Sequence, residues 1–190
     1  MKPTSRSLLS LTGLIAGLSC GAAWADGFAG AYAPSQWTLT ELAAAPGSVD
    51  VSGAPSFIVL TSSNDGSDRA SDTYYGATAA ATGTLSFDWA YSSVDEPGAD
   101  SGGFFIGSIA AGYYLLSYTS GESGHLSLNI AQGQQFGFNV YSKDSGWGPG
   151  VLTISNFSAP LAAAVPEPAS YGLMLAGLVA LGAWRRKTGA

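Results

Sequence analysis

The chain has 190 residues, 46% of them hydrophobic and only 11% charged, with seven Lys plus Arg against thirteen Asp plus Glu. An acidic chain of net charge −6 is repelled by nucleic acid and by anionic lipid head groups, so neither is an expected partner. One histidine and one cysteine rule out a disulfide framework and a zinc site built from His and Cys ligands.

Residues 1–25 read as a secretory signal peptide. Lys2 and Arg6 form a positive start, Leu8 to Leu18 a short apolar stretch, and Ala23-Trp24-Ala25 an A-x-A cleavage site for signal peptidase. The mature chain is then expected to begin at Asp26. A lipoprotein signal using Cys20 fits less well, because Gly17 stands where a large aliphatic residue is wanted. Cys20 leaves with the signal peptide, so the mature passenger must be held by its core alone, although its compartment permits disulfides. Between the two ends, only Arg69 and Lys143 face twelve acids, a net charge of −10 over residues 26–165. That balance suits life outside the cell, cation binding or contact with neutral sugars.

The passenger, 26–158, reads as all-β. Candidate strands run from Trp37 to Leu42 and from Phe57 to Thr61. Leu85, Phe87, Trp89 and Tyr91 then alternate with small or polar residues. Phe104–Ile106 and Tyr113–Thr119 follow, then alternating Leu126, Leu128 and Ile130, then Phe136, Phe138 and Val140, and finally Val151–Phe157. Period two with aromatic and branched residues marks half-buried strands. Asp65-Gly66, Pro97-Gly98, Ser101-Gly102-Gly103 and the glycines from 121 to 124 and 146 to 150 punctuate them. The alanine-rich pieces Ala43–Ala45 and Ala77–Ala81 are too short for a long amphipathic helix. Roughly eight strands at this spacing predict an antiparallel β-sandwich or jelly roll. No fixed-period repeat is visible, and residues 159–165 read as a linker.

Chemistry is sparse. His125, in Gly121-Glu122-Ser123-Gly124-His125, has two readings, a base beside Ser123 or an ordinary strand-start histidine, and the second is favoured. Carboxylates lead further. Asp95, Glu96 and Asp100 share the loop Ser92–Gly103, and Asp144 sits in Tyr141–Gly150 beside Trp147. If both loops occupy one end of a sandwich, these four acids are candidate calcium ligands. Asn64-Asp65-Gly66-Ser67-Asp68 is a fragment of a calcium loop without its terminal glutamate. A Glu96–Asp100 pair is also the raw material of a glycosidase. Among the aromatics, Trp37, Tyr74, Tyr75, Tyr113, Tyr114, Tyr118 and Trp147 are candidates for a sugar-stacking face. Trp147 and the Tyr74-Tyr75 pair are the least easily explained as core.

The tail is the most ordered signal. Pro166 and Pro168 fix φ and remove backbone donors, so Val165-Pro166-Glu167-Pro168 is an extended, grippable peptide. Tyr171 to Trp184 is apolar on all sides, with Gly172, Gly177 and Gly182 tolerated as in membrane helices. The run is short against the roughly 20 residues of a comfortable span, so a transmembrane helix here needs local thinning and snorkelling by Arg185, Arg186 and Lys187. Those cations set the basic end inside.

Pro166-Glu167-Pro168, the apolar run and Arg185-Arg186-Lys187 together resemble the PEP-CTERM sorting signal of Gram-negative bacteria, over residues 166–187. The resemblance implies processing by exosortase, a membrane-embedded transpeptidase-like enzyme. It also implies transient anchoring in the inner membrane, cleavage near Pro166–Pro168 and delivery to the cell surface or beyond. Such proteins are commonly linked to extracellular polysaccharide and biofilm matrix. The stretch from Phe87 to Gly107, with Leu152–Phe157, is similar to passengers found ahead of this signal. The leading expectation is therefore a non-enzymatic surface or matrix protein. A calcium-assisted carbohydrate-binding module is the alternative, and a glycan hydrolase the third reading.

Overall fold

The computed structural model describes residues 23–42, 46–162 and 170–188. Eleven strands are described: β1 (Ala23–Asp26), β2 (Thr38–Glu41), β3 (Ser48–Asp50), β4 (Phe57–Thr61), β5 (Ser71–Thr78), β6 (Gly83–Ser92), β7 (Asp100–Ile106), β8 (Tyr114–Ser117), β9 (Ser123–Ile130), β10 (Gln135–Ser142) and β11 (Val151–Leu161). They form two antiparallel sheets, in the order β3-β4-β11-β6-β9 and β2-β5-β10-β7-β8. Strand β1 completes a six-stranded first sheet by pairing with β11, Ala23 opposite Leu161 and Asp26 opposite Ser158. It takes up β11 where β4 leaves off, since β4 covers Val151 to Ser155.

The strands exist because their apolar residues repeat every second position and bury one side. Leu85, Phe87 and Tyr91 from β6 meet Phe136, Phe138 and Val140 from β10 in the space between the sheets. Trp37 sits at the centre, stacked on Tyr75 at 5.1 Å and on Phe138 at 5.6 Å, its indole N–H donated to the Tyr32 carbonyl at 3.0 Å. The Tyr32 hydroxyl donates to the Pro160 carbonyl at 2.8 Å and accepts the Ala80 N–H at 2.9 Å, so a buried phenol is fully partnered. Trp37 and Tyr75, two of the candidates for a sugar-stacking face, are core residues.

Several segments differ from the sequence reading, the short edge strand β3 among them. β5 was not anticipated, yet it lies second in its sheet, between β2 and β10. β11 continues to Leu161, three residues into the expected linker, with Ala159 wholly buried. The A-x-A motif at Ala23–Ala25 is part of β1, and Ala25 belongs to the core. The helix α1 (Ser170–Thr188) carries the tail's apolar residues, and Leu173, Leu175, Leu178 and Leu181 are all exposed. It takes the basic residues Arg185, Arg186 and Lys187 into its last turns. Among the described residues no helix is long and apolar enough to cross a membrane.

Candidate functional site

In the five-stranded sheet, residues facing away from the core form rows across β2, β5, β10 and β7. One row is Thr38, Gly76, Gly137 and Phe105; the next is Thr40, Tyr74, Asn139 and Gly103. The glycines matter by what lies over them. A Cβ on Gly76 would stand 2.7 Å from the Phe105 ring, and one on Gly137 would meet the same ring at 2.7 Å and collide with the Tyr75 carbonyl. Phe105 therefore reaches across two neighbouring strands, and Tyr74 packs edge-on against it, ring centroids 5.6 Å apart. Both rings are buried. Beside them lies a groove of about 220 Å³, lined by Gln36, Thr38, Thr40, Tyr74, Phe105 and Gln135 among others, with no charged side chain in its wall.

A polar layer adjoins the groove at Tyr74. The wholly buried Asn139 donates through Nδ2 to Asp72 Oδ1 at 2.7 Å, while its Oδ1 has no partner. The Tyr113 hydroxyl and Ser101 Oγ lie 3.1 Å apart. Burial raises the Tyr74 hydroxyl to about 12, and the nearby Asp72 and Tyr113 add to it. Burial also raises the Asp72 carboxyl, against the Asn139 hydrogen bond and with help from the Glu41 charge.

The second region is one end of the sandwich, where the segments 62–70, 93–100 and 143–150 converge. Lys143 N donates to Ala99 O at 2.8 Å and Gly66 N to Ser145 O at 2.7 Å. Gly148 N reaches Asn64 Oδ1 at 3.1 Å, and Gly150 N reaches Ser62 Oγ at 2.8 Å. Between these ties Trp147 stands 86% exposed with a left-handed φ of +60°, as Ser145 has at +54°. These backbone ties bring the two acidic loops side by side. Asp100 is buried, and burial raises its carboxyl, with the charges of Asp95 and Asp144 adding and the Ser142 and Ser93 hydroxyls opposing. Glu96 is exposed and gives only its backbone N–H, to Asp95 Oδ1 at 2.6 Å. Among the described residues no three His, Cys, Asp or Glu side chains are disposed to hold a metal.

His125 lies on β9, not in a loop, and pairs with Asp88 at 2.6 Å on the outer face of the six-stranded sheet. Asp88 also accepts from Asn156 Nδ2 at 2.6 Å. Asn156 sits at the register shift of β11 with φ +48°, so the bulge aims it along the face. These two hydrogen bonds, Asn156 first, hold the Asp88 carboxyl below its usual range. Ser123 shares the face with His125 but is not hydrogen-bonded to it. Of the sorting residues, Pro166, Glu167 and Pro168 lie outside the described residues.

Residues 164–187 match the PEP-CTERM protein-sorting motif. The chain thus carries this sorting motif in its tail, and the motif indicates an exported product sorted by exosortase. No curated protein matches the chain. Solved structures do. One is a family 11 carbohydrate-binding module of the cellulosomal cellulase Lic26A-Cel5E of Clostridium thermocellum, at 14% identity and TM-score 0.43, covering 78% of this chain and 99% of that one. A point mutant of a family 29 carbohydrate-binding module matches at 12% identity and TM-score 0.40, over 74% and 92%. The enzymatically active domain of tailspike protein 4 from bacteriophage CBA120 matches at 12% identity and TM-score 0.39, over 67% of this chain and only 20% of that one.

The groove was not anticipated. Its residues come from four separate stretches, and the only sequence signal was a Tyr74-Tyr75-Gly76 run with no alternation to explain it.

Proposed function

We propose that this is a non-enzymatic protein of the cell surface or extracellular matrix, whose sandwich holds neutral polysaccharide in the groove of the five-stranded sheet. Signal peptidase removes the leader, the tail anchors the chain transiently in the inner membrane, and exosortase releases or transfers it. The observation that carries the ligand reading is the groove wall. It offers hydroxyls from Thr38, Thr40 and Tyr74 and amides from Gln36 and Gln135 beside aromatic surface, with no charge. That is the chemistry of an uncharged, hydroxyl-rich ring, which exchanges hydrogen bonds with such hydroxyls and amides. The passenger's net charge of −10 disfavours polyuronates in the same place.

The non-enzymatic reading is supported by what surrounds the reactive groups. His125 is tied to Asp88 with no hydroxyl hydrogen-bonded to its ring. Asp100 is too deeply buried to flank a glycosidic bond with Glu96.

Affinity electrophoresis of the secreted protein through neutral polysaccharides tests the ligand. A Gln36→Ala, Gln135→Ala variant changes two exposed groove residues and is expected to bind at least about tenfold more weakly, the equivalent of two hydrogen bonds. Absence of retardation by every neutral polymer, with intact fold, overturns the reading.

A further inference from the structure

The geometry points to a hard divalent cation, calcium by preference, bound between the Asp95 and Asp100 carboxylates beneath the Trp147 loop. Each carboxylate is fixed through one oxygen and leaves the other without a partner. Asp95 Oδ1 accepts from Glu96 N at 2.6 Å, while Asp95 Oδ2 is buried and unpaired. Asp100 Oδ2 accepts from Ser93 Oγ at 3.1 Å, while Asp100 Oδ1 is buried and unpaired. Ser93 Oγ in turn accepts from Asp95 N at 3.1 Å, so one serine holds both acids in place. The Tyr91 hydroxyl, on a side chain only 2% exposed, stands by the same two acids.

Buried acceptors with no donor are costly, and buried carboxylates with no opposite charge more so. Among the described residues no cationic side chain is paired with either acid. Arg69 and Lys143 are the two cationic side chains of residues 26–165, and among the described residues the one ion pair is His125 with Asp88. The donors are all oxygen, which selects a hard ion, and calcium completes its shell with backbone carbonyls and water at loosely fixed angles. Of the four acids expected from sequence, Asp144 is a half-buried neighbour and Glu96 is exposed and not a ligand.

The ion would pin the segment 93–100 beside the segment 143–150, which carries Trp147. Magnesium, which demands near-octahedral geometry and keeps its waters, is expected to bind far less well.

The test uses the secreted protein and calcium itself. Melting is followed in chelator, in calcium and in magnesium, and terbium luminescence excited through nearby tyrosine is titrated against calcium. A ligand that binds only the folded state raises the melting temperature. The expected result is a rise of several degrees in calcium and little in magnesium, with terbium emission displaced by calcium. Asp95→Asn is expected to abolish both signals, and Glu96→Gln to leave both intact. Asp100→Asn serves as a second ligand variant if it folds. Identical melting in calcium and chelator overturns the proposal, as does a calcium effect that survives Asp95→Asn. Neither outcome touches the groove reading, which needs no ion.

Discussion

On the outer face of the six-stranded sheet, Ser86, Asp88, Ser123, His125, Ser127 and Asn129 are exposed or half-buried, and the one charged cluster is fully hydrogen-bonded. On the outer face of the five-stranded sheet, Tyr74, Phe105 and Asn139 are buried, and an amide oxygen is left unpaired. Both faces come from strands with the same period of two. The difference lies in the paving. Where short polar side chains stand side by side, water covers the sheet. Where Gly76, Gly137 and Gly103 clear a path, rings lie across neighbouring strands and enclose a groove. A sandwich thus has one face spent on solubility and another free to become a site.

The comparison breaks most sharply at Gly137. Gly137→Val drives a side chain into the Tyr75 carbonyl and the Phe105 ring, and a loss of about 3 kcal/mol is expected in denaturant unfolding, the upper range for overpacking. Ser127→Val, on the other face, should stay within about 0.5 kcal/mol. Equal losses would mean that the glycine paving is incidental. Binding should separate the faces next. Tyr74→Phe keeps the ring and removes a groove hydroxyl, so glycan affinity should fall by about fivefold, one hydrogen bond's worth. His125→Ala should leave it unchanged, and any loss of binding there would relocate the site to the six-stranded sheet.

The smallest contrast is in pH. The folded pKa of Asp88 lies below its unfolded value, so its contribution is present at neutral pH and lost as acid protonates it. Asp72 is the reverse: its raised folded pKa means that the charged form costs stability, which returns as pH falls through that value. Asp88→Asn should therefore lower the neutral melting temperature slightly and flatten its acid loss. Asp72→Asn should raise the neutral value slightly. Calorimetry from pH 7 down through the carboxylate range would show both, and shifts of the same sign would contradict the two environments described.

Sequence periodicity exposed β6 and β10 because each has one side in the core and polar or small residues on the other. It missed β5 because aromatic residues stand on both of its sides: Tyr75 faces the core with Thr73 and Ala77, and Tyr74 is buried under Phe105. With tyrosines at adjacent positions there is no alternation of polarity to read. The groove was hidden for a related reason, since a glycine in a strand is silent until one knows which ring crosses it. Trp147 was legible, because a glycine-rich loop offers a large ring nothing to pack against. Its acidic neighbours were legible as a pair of loops. The depth of Asp100 was not, because burial there depends on how β7 begins beneath Tyr91 and Gly150.

Ala23 lies opposite Leu161, so the first strand of the sandwich begins and the last one ends at a single corner. A peptidase must draw its substrate out straight to cut it, and Ala25 in the zipped sheet is only 6% accessible. The proposed cut after Ala25 therefore requires a chain that has not yet zipped β1 onto β11. A copy that folds first would shelter that bond.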